Sequence, residues 1–221
     1  LCLEGGGRMV PFAGWTMPVQ FTGLIQEHTA VRERMGMFDI SHMGVLQLEG
    51  PNPKDTLQQL VPSDLHRIGP GEACYTVLLN DSGGIRDDLI VYDCGALDAE
   101  RGRLVLVINA ACSESDTAWI REKMEPAGLT VTDIKAGGVL LALQGPDAIP
   151  LLERLSDSDL SGLPRFGHRM LDLEELSQPV FTARTGYTGE DGVELLLTAD
   201  DGRRLWKQLL KEGVLLSLME E

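Results

Sequence analysis

The 221-residue chain sets only 19 Lys and Arg against 34 Asp and Glu, a net charge of −15. That balance offers no broad positive face to a phosphate backbone and argues against nucleic acid as a partner. Long apolar runs are missing as well. The longest, Leu104 to Ile108 and Val139 to Leu143, fall far short of the roughly 20 residues a membrane-spanning helix needs, so no membrane partner is expected. Cysteine is sparse and unpatterned: Cys2, Cys74, Cys94 and Cys112 form no C-x-x-C pair, which points to reduced thiols and a cytoplasmic or, in a eukaryote, mitochondrial-matrix location. His28, His42, His66 and His168 lie at no ligand spacing from one another or from a Cys, so no metal is expected. Ser41 and His42 are neighbours without a G-x-S-x-G turn, and adjacent side chains rarely pair as nucleophile and base, so His42 reads as structural. The opening residues contain neither an initiator Met nor a basic-then-apolar leader, and the expectation is that the natural N-terminus lies upstream.

What is present is an ordinary globular composition, 43% hydrophobic and 24% charged, enough for one large or two small cores. Leu24, Ile25, His28, Val31 and Met35 recur at helical spacing, which predicts a helix from Gly23 capped by Gly36. A strand over 44–49 precedes a turn at Gly50-Pro51, and Asn52 with Pro53 reads as the start of a short helix. Tyr75 to Asn80, Asp88 to Asp93 and Arg103 to Asn109 read as an antiparallel meander. Ser113 with Asp116 resembles a capping box, opening a helix on Trp119, Ile120 and Met124. Val131 to Ile134 and Val139 to Gln144 are strands, Pro146 to Leu155 a helix, Pro179 to Thr185 and Gly192 to Thr198 a strand pair, and Arg203 to Gly213 an amphipathic helix. The block from 50 to 135 forms an α+β domain of its own in this reading, with helices on one face of an antiparallel sheet.

Two segments carry candidate chemistry. In Gly83-Gly84-Ile85-Arg86-Asp87-Asp88-Leu89-Ile90-Val91-Tyr92, side chains alternate faces, so Asp87 and Asp88 point opposite ways and one must meet the core side or a cleft. The alternative is that both acids end a turn in water. Thr185-Gly186-Tyr187-Thr188-Gly189-Glu190-Asp191-Gly192-Val193-Glu194 lets backbone approach a ligand and adds a Tyr face. Its acids and its lack of a Lys exclude a phosphate cradle, and a plain hairpin turn stays open as the other reading.

Met9-Val10-Pro11-Phe12-Ala13-Gly14-Trp15, Gly36-Met37-Phe38-Asp39-Ile40-Ser41-His42-Met43, the Gly83 to Tyr92 segment, Gln144-Gly145-Pro146 and Arg184-Thr185-Gly186-Tyr187-Thr188-Gly189-Glu190 together resemble the aminomethyltransferase (T-protein) family of the glycine cleavage system. The resemblance implies transfer of an aminomethyl group from the lipoyl arm of H-protein to tetrahydrofolate, with ammonia released. It implies Asp88 as the catalytic acid beside the folate N5 and N10, and Tyr75, Asp88, Asn109, Tyr187 and Glu194 as folate-binding residues, Glu194 on the pterin. A carboxylate suits the amide and amino edge of a pterin, and flat rings suit Tyr. The implied fold is the T-protein-like ring of three α+β domains, of which two are expected: 1–49 with 136–212, discontinuous, and 50–135 inserted. Residues 213–221 diverge from the family, and a fragment lacking the third domain is the expectation. A sarcosine or dimethylglycine dehydrogenase portion and a non-catalytic folate-binding scaffold are the alternatives. The scaffold's Lys-Gly-Cys-Tyr-x-Gly-Gln-Glu mark is absent from this sequence.

Overall fold

The computed structural model describes residues 1–12 and 14–217. In chain order these form β1 (Met9–Phe12), β2 (Trp15–Pro18), α1 (Leu24–Glu33), β3 (Gly36–Asp39), β4 (Gly44–Pro51), α2 (Pro53–Leu57), β5 (Ala73–Leu79), β6 (Ile85–Ala96), β7 (Arg101–Ile108), α3 (Ser113–Met124), β8 (Thr130–Asp133), β9 (Gly138–Gln144), α4 (Ala148–Ser156), β10 (His168–Leu171), β11 (Val180–Ala183), β12 (Gly192–Thr198), α5 (Ala199–Lys211) and β13 (Leu215–Leu216). The chain divides into two compact units, Leu1–Ser41 with Gly137–Glu221, and His42–Ala136. Among the described residues no helix is long and apolar enough to cross a membrane.

The first unit holds a six-stranded sheet in the order β10-β11-β12-β9-β3-β13. Its pairs are antiparallel except β13 with β3. Alternation along β9 and β12 sends Leu141, Leu143, Val193, Leu195 and Leu197 to one face, where they pack with Leu151 and Leu152 of α4 and Leu205, Trp206 and Leu209 of α5. Each such side chain contributes about 1.5–3 kcal/mol on burial.

The second unit holds a five-stranded antiparallel sheet in the order β5-β6-β7-β4-β8. The expected meander is its β5-β6-β7 portion. Leu46 and Leu48 of β4, Leu89 and Val91 of β6, and Leu104, Leu106 and Ile108 of β7 form a core with Leu57 of α2 and Ile120 and Met124 of α3. The expected α+β class, antiparallel sheets with helices packed on them, is what both units display.

Several local expectations are corrected. The first helix stops at Glu33 with Arg34 at its C-cap, and Gly36 opens a buried strand instead of capping; a Cβ at Gly36 would run into Val31 and Ser217. The expected start of α2 holds, with Asn52 at the N-cap and Pro53 as its first residue, although Asn52 lies in the left-handed region, φ 45°, and makes no side-chain cap bond. The capping box at Ser113 does not form: Cys112 is the N-cap, and Asp116 is buried at 1% exposure. Helix α5 starts earlier than read, at Ala199, because the Thr198 hydroxyl accepts from Asp201 N at 3.2 Å.

The boundary expected after residue 49 falls at Ser41, since β4 pairs along its length with β7 and over Leu46 to Glu49 with β8. The segment read as a divergent tail joins the first sheet: Leu215 and Leu216 pair with Gly36 and Met37, and Ser217 N donates to Met37 O at 2.9 Å. Residues 218–221 of that segment lie outside the described residues.

Candidate functional site

In the second unit, register decides where the two aspartates point. Paired residues share a face, and Val77 pairs with Asp88, Tyr75 with Ile90 and Leu78 with Asp87. Asp88 and Tyr75 therefore occupy one face, while Asp87 lies with fully buried Leu78 on the face covered by α3. The register shifts between Leu78 and Leu79, which pairs with Ile85, and leaves Arg86 as the bulged residue. The expectation of opposed acids, one on the core side, holds, and Asp87 is the core-side member.

Asn109 stands immediately after β7, whose last residue, Ile108, pairs with Leu89. Its Nδ2 donates to Asp87 Oδ1 at 2.9 Å, to Asp88 Oδ1 at 3.1 Å and to Asp88 O at 3.1 Å. One amide nitrogen thus ties both acids together where the strand ends, although their side chains leave β6 on opposite faces.

Behind Asp87 lies Asp116 of α3. Burial, then a hydrogen bond that the protonated Asp116 carboxyl donates to Asp87 and the charge of Asp87, push the Asp116 carboxyl up to about 6. The Arg86 guanidinium, 3.7 Å away, and the Ser115 hydroxyl act against that push. Cys112 completes the group; its thiol is raised by desolvation and by Asp87, Asp116 and Asp88. Asp87, Cys112 and Asp116 bring their ligand-type atoms within 4.8 Å of one another, a gathering that the spacing of His and Cys in the sequence did not reveal. Arg86 faces this group and supplies positive charge there already.

In the first unit, Glu194 lies on β12 opposite Ala142 and Ala183. Desolvation raises its carboxyl above the usual range, and the Thr185 hydroxyl, donating to Oε2 at 2.6 Å, opposes the rise. Tyr187 stands in the loop between β11 and β12 with its ring 75% exposed, an open aromatic face.

The loop is held from below by Gln144, 1% exposed at the end of β9. Gln144 Nε2 donates to Thr185 O at 3.0 Å and Val193 O at 3.3 Å, and its Oε1 accepts from Thr188 Oγ1 at 3.0 Å. A Cβ at Gly186 would collide with this amide, so glycine there is required by close approach. At the loop's far end Arg184 grips Asp191 through Nε at 3.0 Å and Nη2 at 2.6 Å, and Arg32 of α1 meets Glu190 at 2.8 Å.

Of the five residues singled out in the sequence, Asp88 and Asn109 are in contact and Tyr75 shares the face of Asp88. Glu194 and Tyr187 belong to the other unit, on β12 and the loop before it. Three residues were given no role of their own in the sequence: Gln144 and Thr185, read only as members of motifs, and Asp116, read only as half of a cap. A signal existed for Asp116, which lies four and eight residues before Ile120 and Met124 and so on their buried stripe.

The family model described as the GCVT N-terminal domain matches residues 2–219. The chain is 81% identical over 214 residues to an aminomethyltransferase of Parasynechococcus marenigrum (strain WH8102), covering 97% of this chain and 58% of the relative. It is equally similar, at 81% with 97% and 59% covered, to an aminomethyltransferase of Synechococcus sp. (strain CC9902). Among solved structures it resembles the glycine cleavage system aminomethyltransferase T from Bartonella henselae, with a TM-score of 0.85, 32% identity, and 98% of this chain and 57% of that one covered. The heterotetrameric sarcosine oxidase of Corynebacterium sp. U-96 shares the fold at a TM-score of 0.57 and 16% identity, with 85% and 89% covered. The chain spans about 58% of the length of the curated relatives it matches.

Proposed function

Because this chain belongs to the GCVT N-terminal domain family, we propose that it supplies the tetrahydrofolate-binding residues of an aminomethyltransferase of glycine cleavage. In this reading the aminomethyl group on the lipoyl arm of H-protein passes to tetrahydrofolate, giving 5,10-methylenetetrahydrofolate and releasing ammonia. The units 1–41 with 137–217 and 42–136 correspond to the first and the inserted domain of the family. The bacterial cytoplasm is the compartment, in keeping with four free thiols.

The observation that carries the reading is the clasp on Asp88, whose side chain and carbonyl are both held by the Asn109 amide. A carboxylate fixed in this way can orient an amine and take or return a proton without first paying to become ordered. Tyr75, on the same sheet face, adds an exposed ring for the folate. Glu194 offers the pterin an acceptor for its amino and amide N–H groups, and Thr185 keeps that carboxyl oriented. Tyr187 supplies a second aromatic face.

The test is a thermal melt of the chain with and without folinate. A ligand present at 100 times its dissociation constant stabilises by about 2.7 kcal/mol, or roughly 5 to 10 °C for a chain of this size. A cooperative melt that folinate leaves unmoved would overturn the folate assignment. In transfer assays with lipoyl H-protein, Asp88→Asn lowers the rate about 10²- to 10⁴-fold, the range typical of a lost acid–base group.

A further inference from the structure

The folate reading gives no task to Asp87 and Asp116, yet they are the more deeply placed acids of the group. Each has a buried carboxyl oxygen, Asp87 Oδ2 and Asp116 Oδ2, that accepts no hydrogen bond from an N–H or hydroxyl donor. The two side chains lie within reach of each other, on β6 and α3. Two carboxylates so placed repel unless one proton lies between them, after which the pair behaves as a single monoanion.

We propose that Asp87 and Asp116 share one proton and serve as positioning residues for Asp88, acting through the forked amide of Asn109. The proposal rests on the reading of Asp88 as the folate-side carboxylate. The charged and titratable groups facing the pair are Arg86 and Asp88 from β6 and Cys112 at the start of α3; the Ser115 hydroxyl and the Asn109 amide are its neutral neighbours. With the proton in place, Asp87 keeps one anionic oxygen for Asn109, and the amide divides its two N–H groups between Asp87 and Asp88. When the proton leaves, a further negative charge is confined behind Asn109. The amide is then drawn toward Asp87, and Asp88 loses its tether while facing greater repulsion.

The experiment is a pH titration of the isotopically labelled chain, reading the aspartate side-chain carboxyl carbons and the Asn109 side-chain amide by NMR, alongside folinate affinity over the same range. The Asp116 carboxyl should titrate near 6, and the Asn109 amide shift should follow that midpoint. In Asp116→Asn, which donates an N–H permanently to Asp87, both steps should vanish, and the loss of folinate affinity expected of the wild type above the midpoint should disappear. Should that variant fail to fold, Asp87→Asn removes the same step and is read on Asp116.

An Asn109 amide that ignores pH, or one that moves identically in wild type and Asp116→Asn, overturns the proposal. A pair with only a structural role would change melting temperature in the variants without moving the Asn109 resonance. Failure of folinate to bind at any pH strikes the folate reading, while the NMR titration decides the positioning role separately.

Discussion

The Thr185 hydroxyl donates to Glu194 Oε2 at 2.6 Å, across the loop from β11 to β12, and opposes the upward push that burial exerts on this carboxyl. Removing the donor leaves desolvation unopposed. In Thr185→Val the Glu194 carboxyl therefore moves further up, and the pH below which folinate binding fades moves up with it. Folinate affinity measured from pH 4.5 to 8 reads the displacement; superimposable wild-type and variant profiles would contradict the role given to Glu194.

Gln144→Leu is close in size but abolishes both donations to Thr185 O and Val193 O and the acceptance from Thr188. Buried partners left unsatisfied cost about 1–3 kcal/mol each when no water reaches them. A loss of about 2–4 kcal/mol in denaturant unfolding is expected, with weaker folinate binding because Tyr187 and Glu194 lean on the same loop. Gly186→Ala should resemble it, since the new methyl meets the Gln144 amide.

Asp116 makes stability depend on pH in a stated direction. Its carboxyl is raised from 3.8 to about 6 in the folded protein, so the native state binds more protons than the unfolded chain between those values. The contribution is fully present below the unfolded value and is lost as pH rises through about 6. Asp116→Asn should flatten the melting temperature between pH 4 and 7 and exceed the wild type at neutral pH. Parallel curves for the two proteins would refute this.

Helix α1 takes its N-terminal support from within. Gly23 at its N-cap has no side chain, and Glu27 Oε1 instead accepts from Phe21 N, Thr22 N and Gly23 N at 2.8–2.9 Å. Charge-assisted bonds of this kind contribute about 1.5–3 kcal/mol apiece before shared costs. Glu27→Ala should destabilise by about 2–4 kcal/mol and speed amide exchange at residues 21–23 first.

Much of this arrangement was legible in the sequence because it is local. Turn chemistry around Asp81 to Gly84 and alternation on either side specified the β5-β6 hairpin, and the aspartate pair was expected to split between two faces. Strand β3 was not legible: four residues after a glycine look like a helix end, and its partners, β9 and β13, are about a hundred or more positions away. Strand β10 is similarly short and paired at a distance from any turn signal. Asp116 was misread because Ser-x-x-Asp favours a cap locally, while packing against β6 turned that acid inward. Gln144 was noticed only as part of a motif, since nothing in one strand reveals which loop its amide will support.

The inserted unit begins and ends on neighbours. Its first strand and its last run side by side, with Ile134 N donating to Val45 O at 3.1 Å. In the other unit Ile40 N donates to Leu140 O at 3.0 Å, and the Ser41 hydroxyl accepts from Leu140 N at 3.1 Å. Each unit is thus stitched shut at the point where the chain leaves it. Joining ends already held together costs little chain entropy, so residues 42–136 behave as a cassette: excised and expressed alone they should melt cooperatively, and a short glycine linker in their place should let the remaining sheet close on itself.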